Sequence, residues 1–471
     1  MAEKLLFLTG KLAEPSLRQV LKQMGEVDFD YDIHQLGVSV AALMTDKMIA
    51  RRLKPEMIGD SEQIIVPGRC RGDMEALSQK LGVPVVRGPE EVKDLPIFFG
   101  RERKKPDLSR YDVNIFAEIV DAPERDIDSI LERAHYYREN GANIIDLGCL
   151  PQEPFPHLEE AIVALHEQGF KVSVDSLALQ DLKRAGKAGA DYLLSLTENT
   201  YFLANEVDAI PVLVPAEPGS LESLERAMEL MDKINRPWIA DPILDPIHFG
   251  LTESIVRYHT LRQKYPDAPM MMGVGNLTEL TDADTSGINA MLFGIISELG
   301  ITNVLATEVS PHARRAIKEA DIARRMMFAA KEESSLPRDF TADLLISHER
   351  RPFPDNAKDI KELASNIKDP NYRIKVAEHG IYMFNRDGLM QDVDPFAFYP
   401  QLNLKQDDTG HAFYLGVELA RAQIAWQMGK RYTQDEELEW GCALTQAEED
   451  LTEQKAEGTT MTTGRKCGTA E

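Results

Sequence analysis

The chain has 471 residues, 43% of them hydrophobic, which is enough apolar material for two to four ordinary domains. It carries 53 Lys and Arg against 78 Asp and Glu, a formal charge of −25 at pH 7. That balance argues against nucleic-acid or membrane-surface partners, which call for clustered positive charge, and leaves room only for a local basic pocket. No stretch approaches the roughly 18 apolar residues of a membrane span.

The opening run Leu5-Leu6-Phe7-Leu8 is too short for a signal peptide and reads as a buried strand. The four cysteines, Cys70, Cys149, Cys442 and Cys467, are widely spaced and form no paired metal motif. Free thiols in a reducing, cytoplasmic compartment are expected. Strands are predicted at Leu5–Leu8, Ile33–Leu36, Ile64–Val66 and Val83–Val86, with helices over Ser16–Met24 and Val40–Arg52 between them. Strand and helix alternate, so residues 1–105 form a small open α/β domain with a parallel sheet. The charged, non-periodic stretch Arg101–Asp107 reads as a linker.

From Val113 to about Arg325 one pattern repeats eight times: a short apolar strand, a turn, an amphipathic helix. Strands are predicted near 113–119, 143–147, 171–175, 191–196, 210–214, 237–241, 270–274 and 302–307. Helices are predicted near 126–140, 157–168, 178–187, 199–206, 220–235, 252–264, 284–299 and 311–330, the last with Ser310 as N-cap and Pro311 at its first position. Residues 106–335 thus read as a (β/α)8 barrel. Residues 336–452 read as an α+β appendage, with strands at Phe340–Ile346 and within Tyr372–Met383 and a long helix over His411–Gly429. The last stretch, 453–471, is rich in Gly, Thr and Lys and reads as disordered.

The strand ends carry polar residues that a barrel wall does not need: Glu118, Asp146, Asp175, Ser195, Asp241, Asn276 and Glu308. In an eight-stranded parallel barrel those ends converge on one face, where chemistry is done. A buried carboxylate is costly unless it meets a donor. A single Asp at such a place reads equally well as a turn cap. Three of them with Asn276 suit a planar ligand offering several N–H donors, such as an aminopyrimidine ring.

Gly141-Ala-Asn-Ile-Ile-Asp146-Leu-Gly148, Val172-Ser-Val-Asp175-Ser176, Gly189-Ala190-Asp191 and Asp241-Pro242 follow one another in an order and spacing that resemble the dihydropteroate synthases. The wider pterin-binding family, which includes the methyltetrahydrofolate-dependent corrinoid methyltransferases, shares them. The resemblance covers about 113–330, under half the chain. It implies a pterin-binding barrel in which Asp175 and Asp241 bond the amino-pyrimidine edge, with Asn276 and Asn199 as further pterin contacts. Asp146 would shape the mouth near the reacting carbon, and Asp146 and Asp175 would be the catalytic pair.

The sequence departs from that family where the family handles anions. After the second barrel strand the family reads Gly-Gly-Glu-Ser-Thr-Arg-Pro; here the chain reads Gly148-Cys-Leu-Pro-Gln-Glu-Pro154. The family's Ser-Arg-Lys on strand seven is replaced by Gly273-Val-Gly-Asn276, closer to the methyltransferase branch. Leu305 and Thr307 stand where it has an Arg and a His, and Leu194 where it has a pterin-contacting Asn. Two other places have anion-binding chemistry. One is Ser310-Pro-His312-Ala-Arg314-Arg315 at the eighth helix start. The other is Pro67-Gly68-Arg69-Cys70-Arg71-Gly72-Asp73 after a strand of the first domain. Ser310, Arg314, Arg69 and Arg71 are therefore the candidate anion binders, the last two reaching over the barrel mouth from the first domain.

Weaker candidates are His135 on the first barrel helix, His248 after strand six, and Cys149, which has no paired His. The helix Ile288–Leu299 is apolar around most of its circumference, which suits coverage by the appendage or by a second subunit in a homodimer. The resemblance implies a transferase that joins a hydroxymethyl-dihydropterin diphosphate to an arylamine. The arylamine would be a ribofuranosyl-aminobenzene phosphate, as in organisms that use tetrahydromethanopterin for one-carbon transfer. Mg2+ can accompany the diphosphate, but the sequence shows no dedicated metal ligands. Alternatives are a methyl-pterin-dependent methyltransferase, whose cobalamin-binding Asp-x-His-x-x-Gly would have to come from a partner, and a non-catalytic pterin-binding scaffold.

Overall fold

The computed structural model describes residues 3–102, 106–149, 154–404 and 408–444. The expected disorder of 453–471 lies outside them. The chain divides into two compact units: Met1–Tyr111 with Arg325–Phe340, and Asp112–Arg324 with Thr341–Glu471. Among the described residues no helix is long and apolar enough to cross a membrane.

The first unit is built on four parallel strands, β1 (Glu3–Thr9), β2 (Phe29–Gln35), β3 (Gln63–Val66) and β4 (Val85–Arg87), in the order β2-β1-β3-β4. Alternate residues of β1 serve opposite faces. Leu6 and Leu8 join Met44, Ile49 and Ile64 on one side. Leu5 and Phe7 join Leu17, Leu21 and Leu95 on the other. A parallel sheet covered on both faces demands this continuous apolar run. The helix expected over Val40–Arg52 is two pieces, a 3-10 turn Ala41–Leu43 and a helix Asp46–Arg52. Thr45 breaks it: its backbone is extended and its hydroxyl accepts the Met48 N–H, an N-cap inside the expected span.

In the second unit β5 (Asn114–Ile119), β6 (Ile144–Gly148), β7 (Lys171–Asp175), β8 (Tyr192–Leu196), β9 (Ile210–Leu213), β10 (Ile239–Ala240), β11 (Met271–Gly273) and β12 (Asn303–Thr307) form one parallel sheet. Its order is β10-β9-β8-β7-β6-β5-β12-β11, and a bridge between Ala240 and Met270 joins the two ends. The fold is a (β/α)8 barrel. Phe116, Ile144, Leu194, Val212, Ile239 and Met271 fill its interior. Each such side chain contributes about 1.5–3 kcal/mol on burial, which helps offset the polar layer above.

Two helices differ from expectation. The stretch 199–206 forms only a 3-10 turn, Tyr201–Asn205, and the eighth helix begins at Ala316 after a 3-10 turn Pro311–Ala313. In the appendage β13 (Arg373–Ala377), β14 (Gly380–Asn385) and β15 (Gly388–Asp392) form an antiparallel meander packed against the helix Thr409–Met428. The sequence reading stopped short of β15. The strand expected at Phe340–Ile346 is a turn, because Thr341 Oγ1 accepts the Asp343 N–H and Leu345 N–H bonds back to Ala342.

Candidate functional site

Side chains two residues apart on a strand share a face. Glu118 follows Phe116, Asp146 follows Ile144, and Asp241 follows Ile239 at that spacing. The acids therefore stand one layer above the apolar plug, at the carboxyl ends of β5, β6 and β10. Glu118 and Asp146 are register partners on neighbouring strands, and Asp146 pairs in turn with Ser173. Asp175 ends β7, two residues beyond Ser173.

Asp146 is fully buried. Its Oδ1 accepts the Ser173 hydroxyl at 2.5 Å, while Oδ2 has no hydrogen-bond partner among the described residues. Burial, then the charges of Glu118 and Asp175, hold its carboxyl well above the usual range. Burial followed by the charges of Asp175 and Glu279 pushes Glu118 up to about 7. Asp175 is also raised by burial, against the Ser195 hydroxyl that donates to its Oδ1 at 2.7 Å. Burial pushes Asp241 up to about 6, opposed by the Tyr258 hydroxyl at 2.6 Å and the Ile243 N–H at 2.8 Å. Each of these acids is raised above its ordinary value, and a carboxyl that keeps its proton can donate as well as accept a hydrogen bond.

Backbone strain gathers around these acids. Ser195 has φ of 69°, and in the loop after β10 Ile243 has 66° and His248 68°. A β-branched residue in that region is an outlier that surrounding contacts must hold. At Ile243 the N–H donates to Asp241 and the carbonyl accepts from Arg257 at 2.8 Å.

The remaining expected residues are placed as follows. Asn276 lies in a one-turn helix, Gly275–Thr278, and its Nδ2 donates to the Leu244 carbonyl at 2.6 Å. Asn199 is exposed in the turn after β8, and Leu194 belongs to the plug. His248 is exposed, and His135 meets Phe170 edge to face with ring centroids 5.1 Å apart. Burial pushes the Cys149 thiol up to about 12, which disarms it as a nucleophile. Residues 150–153 of the departing loop lie outside the described residues.

The candidate anion sites are filled from within. The Ser310 N–H donates to Glu279 Oε2 at 2.7 Å, and the Val309 N–H and Thr307 hydroxyl donate to Oε1 at 2.9 and 3.1 Å. Burial alone would raise Glu279; these bonds together outweigh it and hold the carboxyl below its ordinary value. Ser310 is therefore no N-cap for the eighth helix. The carboxylate that meets the helix start belongs to Glu308, which accepts the Ile317 N–H at 3.2 Å. Arg314 is exposed.

In the first unit Asp46 occupies the space beside Gly72, whose φ is +110°, and accepts the Asp73 N–H at 3.2 Å. Asp73 caps the helix Met74–Leu81 through the Glu75 and Ala76 N–H groups. Arg71 is exposed, and Arg69 pairs with Glu90 at 3.4 Å and Glu91 at 3.3 Å.

Sequence reasoning passes over Ser173, Tyr258 and Glu279 as site residues and leaves Glu118 and Ser195 as bare strand ends. Ser173 is visible as a hydroxyl two residues before Asp175 on one strand. Tyr258 and Glu279 gave no local signal, since each meets its partner only through the fold.

Residues 3–90 match a family of unknown function, DUF6513. An uncharacterized protein of Methanocaldococcus jannaschii is 28% identical over 92% of this chain and 99% of its own length. Among solved structures, the chain is similar to 7,8-dihydropteroate synthase from Vibrio fischeri, at 15% identity over 48% of this chain and 95% of that one, with a TM-score of 0.38. The dihydropteroate synthase of Yersinia pestis gives 16% identity over 48% and 96%, also with a TM-score of 0.38. A truncated 3-deoxy-D-arabino-heptulosonate 7-phosphate synthase from Thermotoga maritima gives 12% over 47% and 87%, with a TM-score of 0.36.

Proposed function

We propose that the barrel mouth binds the amino-pyrimidine edge of a pterin and that the protein is a transferase acting on it. The carrying observation is the acid layer, with Asp175 and Asp241 each anchored by a hydroxyl and raised in pKa. Motif resemblance supports the same reading at the same residues. The transfer is condensation: an arylamine nitrogen attacks the pterin methylene, the carbon–oxygen bond breaks, and diphosphate leaves with the electron pair. Such a step asks the protein chiefly to position two partners and to stabilise the leaving charge. The arylamine is a ribofuranosyl-aminobenzene phosphate, and the setting is tetrahydromethanopterin synthesis in the cytoplasm. Magnesium would arrive on the diphosphate; among the described residues no three His, Cys, Asp or Glu are grouped to hold a metal.

One observation favours a second reading. The Glu279 carboxylate, from the loop after β11, takes the N–H groups of the loop after β12, where a barrel usually holds phosphate. A methyl-pterin substrate carries no diphosphate and needs no such site, so a methyltransferase working with a corrinoid partner fits that loop. Calorimetric binding of the hydroxymethyl-dihydropterin diphosphate, with and without the aminobenzene phosphate, tests the first reading alongside an assay for released diphosphate. Pterin binding without diphosphate release, together with corrinoid-dependent methyl loss, would select the second. Binding with neither turnover would leave a scaffold.

A further inference from the structure

In the first unit the chain leaves β1 for β2 on one side and reaches β3 on the other. The winding therefore reverses between β1 and β3. In an open parallel sheet the crevice outside the carboxyl ends of two such strands is covered by neither flanking helix. A cleft of about 420 Å³ lies there, with Thr9 at the end of β1 and Val66 and Pro67 at the end of β3 in its lining. That volume is within the roughly 300–1,000 Å³ of small-molecule pockets. Close backbone packing shapes it: a Cβ on Gly68 would fall 2.5 Å from the Pro89 backbone.

Two further features give the cleft a chemistry. Leu12, Val40 and Leu336, all on its lining, keep 70%, 43% and 78% of their surface exposed. Large aliphatic side chains gathered around one concavity mark a binding surface. Arg69 and Arg338, also on the lining, share one carboxylate, Glu91, at 3.3 and 2.9 Å. Arg69 also meets Glu90 at 3.4 Å, and two guanidinium groups on two acids still leave N–H donors for a further anion at that corner.

We propose that this cleft is a ligand site of the first unit, taking a small molecule with an apolar body and one anionic group, a carboxylate, sulfonate or phosphate ester. The apolar body lies against Leu12, Val40 and Leu336, and the anion takes the fork between Arg69 and Arg338. The inference is independent of the pterin reading of the barrel.

The probes are 1-anilinonaphthalene-8-sulfonate and its uncharged counterpart N-phenyl-1-naphthylamine, titrated by fluorescence into the full-length protein. Expected is saturable binding of both. The double substitution Arg69→Ala/Arg338→Ala should weaken the sulfonate at least about tenfold and leave the uncharged arene unchanged. Filling the cleft with Ala13→Trp should remove both, and Ala41→Trp serves the same purpose if the first variant does not fold. Wild-type binding retained in a folded filling variant overturns the site. An unchanged ratio of the two affinities in the arginine variant overturns the anionic class.

Discussion

Replacing Glu118 by Gln removes a charge from the barrel mouth while nearly keeping the side chain's shape. The native carboxyl is raised from 4.5 to about 7 by burial and by its acidic neighbours. At about 1.4 kcal/mol for each tenfold change, that corresponds to about 3 kcal/mol of strain when the group is ionised. The sign follows from proton uptake. Below pH 4.5 Glu118 is protonated folded and unfolded alike, so acid and amide are equivalent. As pH climbs to about 7 the unfolded chain has ionised while the folded one resists, and stability drains from the native protein. Above pH 7 the loss is complete. Glu118→Gln should therefore match wild type near pH 4 and exceed it by about 3 kcal/mol near pH 8. Relief of Asp146, which Glu118 also raises, adds in the same direction. Urea unfolding at half-unit pH steps, followed by far-UV circular dichroism, reads the difference. A gap that is flat across this range, or that favours wild type at pH 8, would refute the assignment of Glu118 to a buried acid layer.

Tyr258→Phe removes the hydroxyl that holds Asp241 down, so the Asp241 carboxyl should titrate above about 6, read by carbon NMR of the labelled side chain. Gly148→Ala places a methyl 2.7 Å from Glu118 Oε1 and 3.1 Å from the Val120 Cα, and should cost about 1–3 kcal/mol in the same unfolding assay. Glu279→Gln trades a carboxylate accepting two backbone N–H groups for an amide that turns a donor toward one of them. A loss of about 1–3 kcal/mol is expected at pH 7. Because Glu279 is held below its ordinary value, its contribution is present above the unfolded carboxylate pKa and fades as pH falls through the folded one, opposite to Glu118.

The barrel was legible because its strands repeat a physical requirement. Apolar residues must face both the helices and the interior, and residues toward a strand's carboxyl end escape that rule. Glu118, Asp146 and Asp241 broke the pattern at the place where breaking it has a use. Caps supplied from a distance were not legible. Glu279 reaches Ser310 across 31 positions, and Asp46 reaches Asp73 across 27. Locally each is a strand-to-helix turn with open N–H groups and nearby arginines, which suits the anionic group of a substrate. Both turns do hold an anion, but the chain brings it. The same blindness explains the eighth helix start: Ser310 and Pro311 make a good local N-terminus, yet the Ser310 N–H is drawn to Glu279 and the helix begins at Ala316.

That self-capping bears on the choice between the two proposed transfer reactions. Four arginines that face the loops after the barrel strands are already engaged, Arg125 with Asp121 at 2.7 Å, Arg133 with Glu308 at 3.3 Å, Arg226 with Glu198 at 2.5 Å and Arg257 with Asp245 at 2.5 Å, while Arg314 is exposed. A diphosphate entering this mouth meets an acid layer and, at these four arginines, cations whose charge is locally spent. Condensation then requires the leaving group to bring its own counter-charge or to displace one of these acids, and Glu279 already sits on anion-binding N–H groups. On that reading Glu279→Gln frees donors and removes a repelling charge, so the diphosphate pterin should bind more tightly than to wild type. A methyl-pterin has no group to place there, and its affinity should not change. Calorimetry of both ligands on the one variant separates the two reactions. Equal affinities of both pterins for variant and wild type would remove the strand-eight loop from the chemistry altogether.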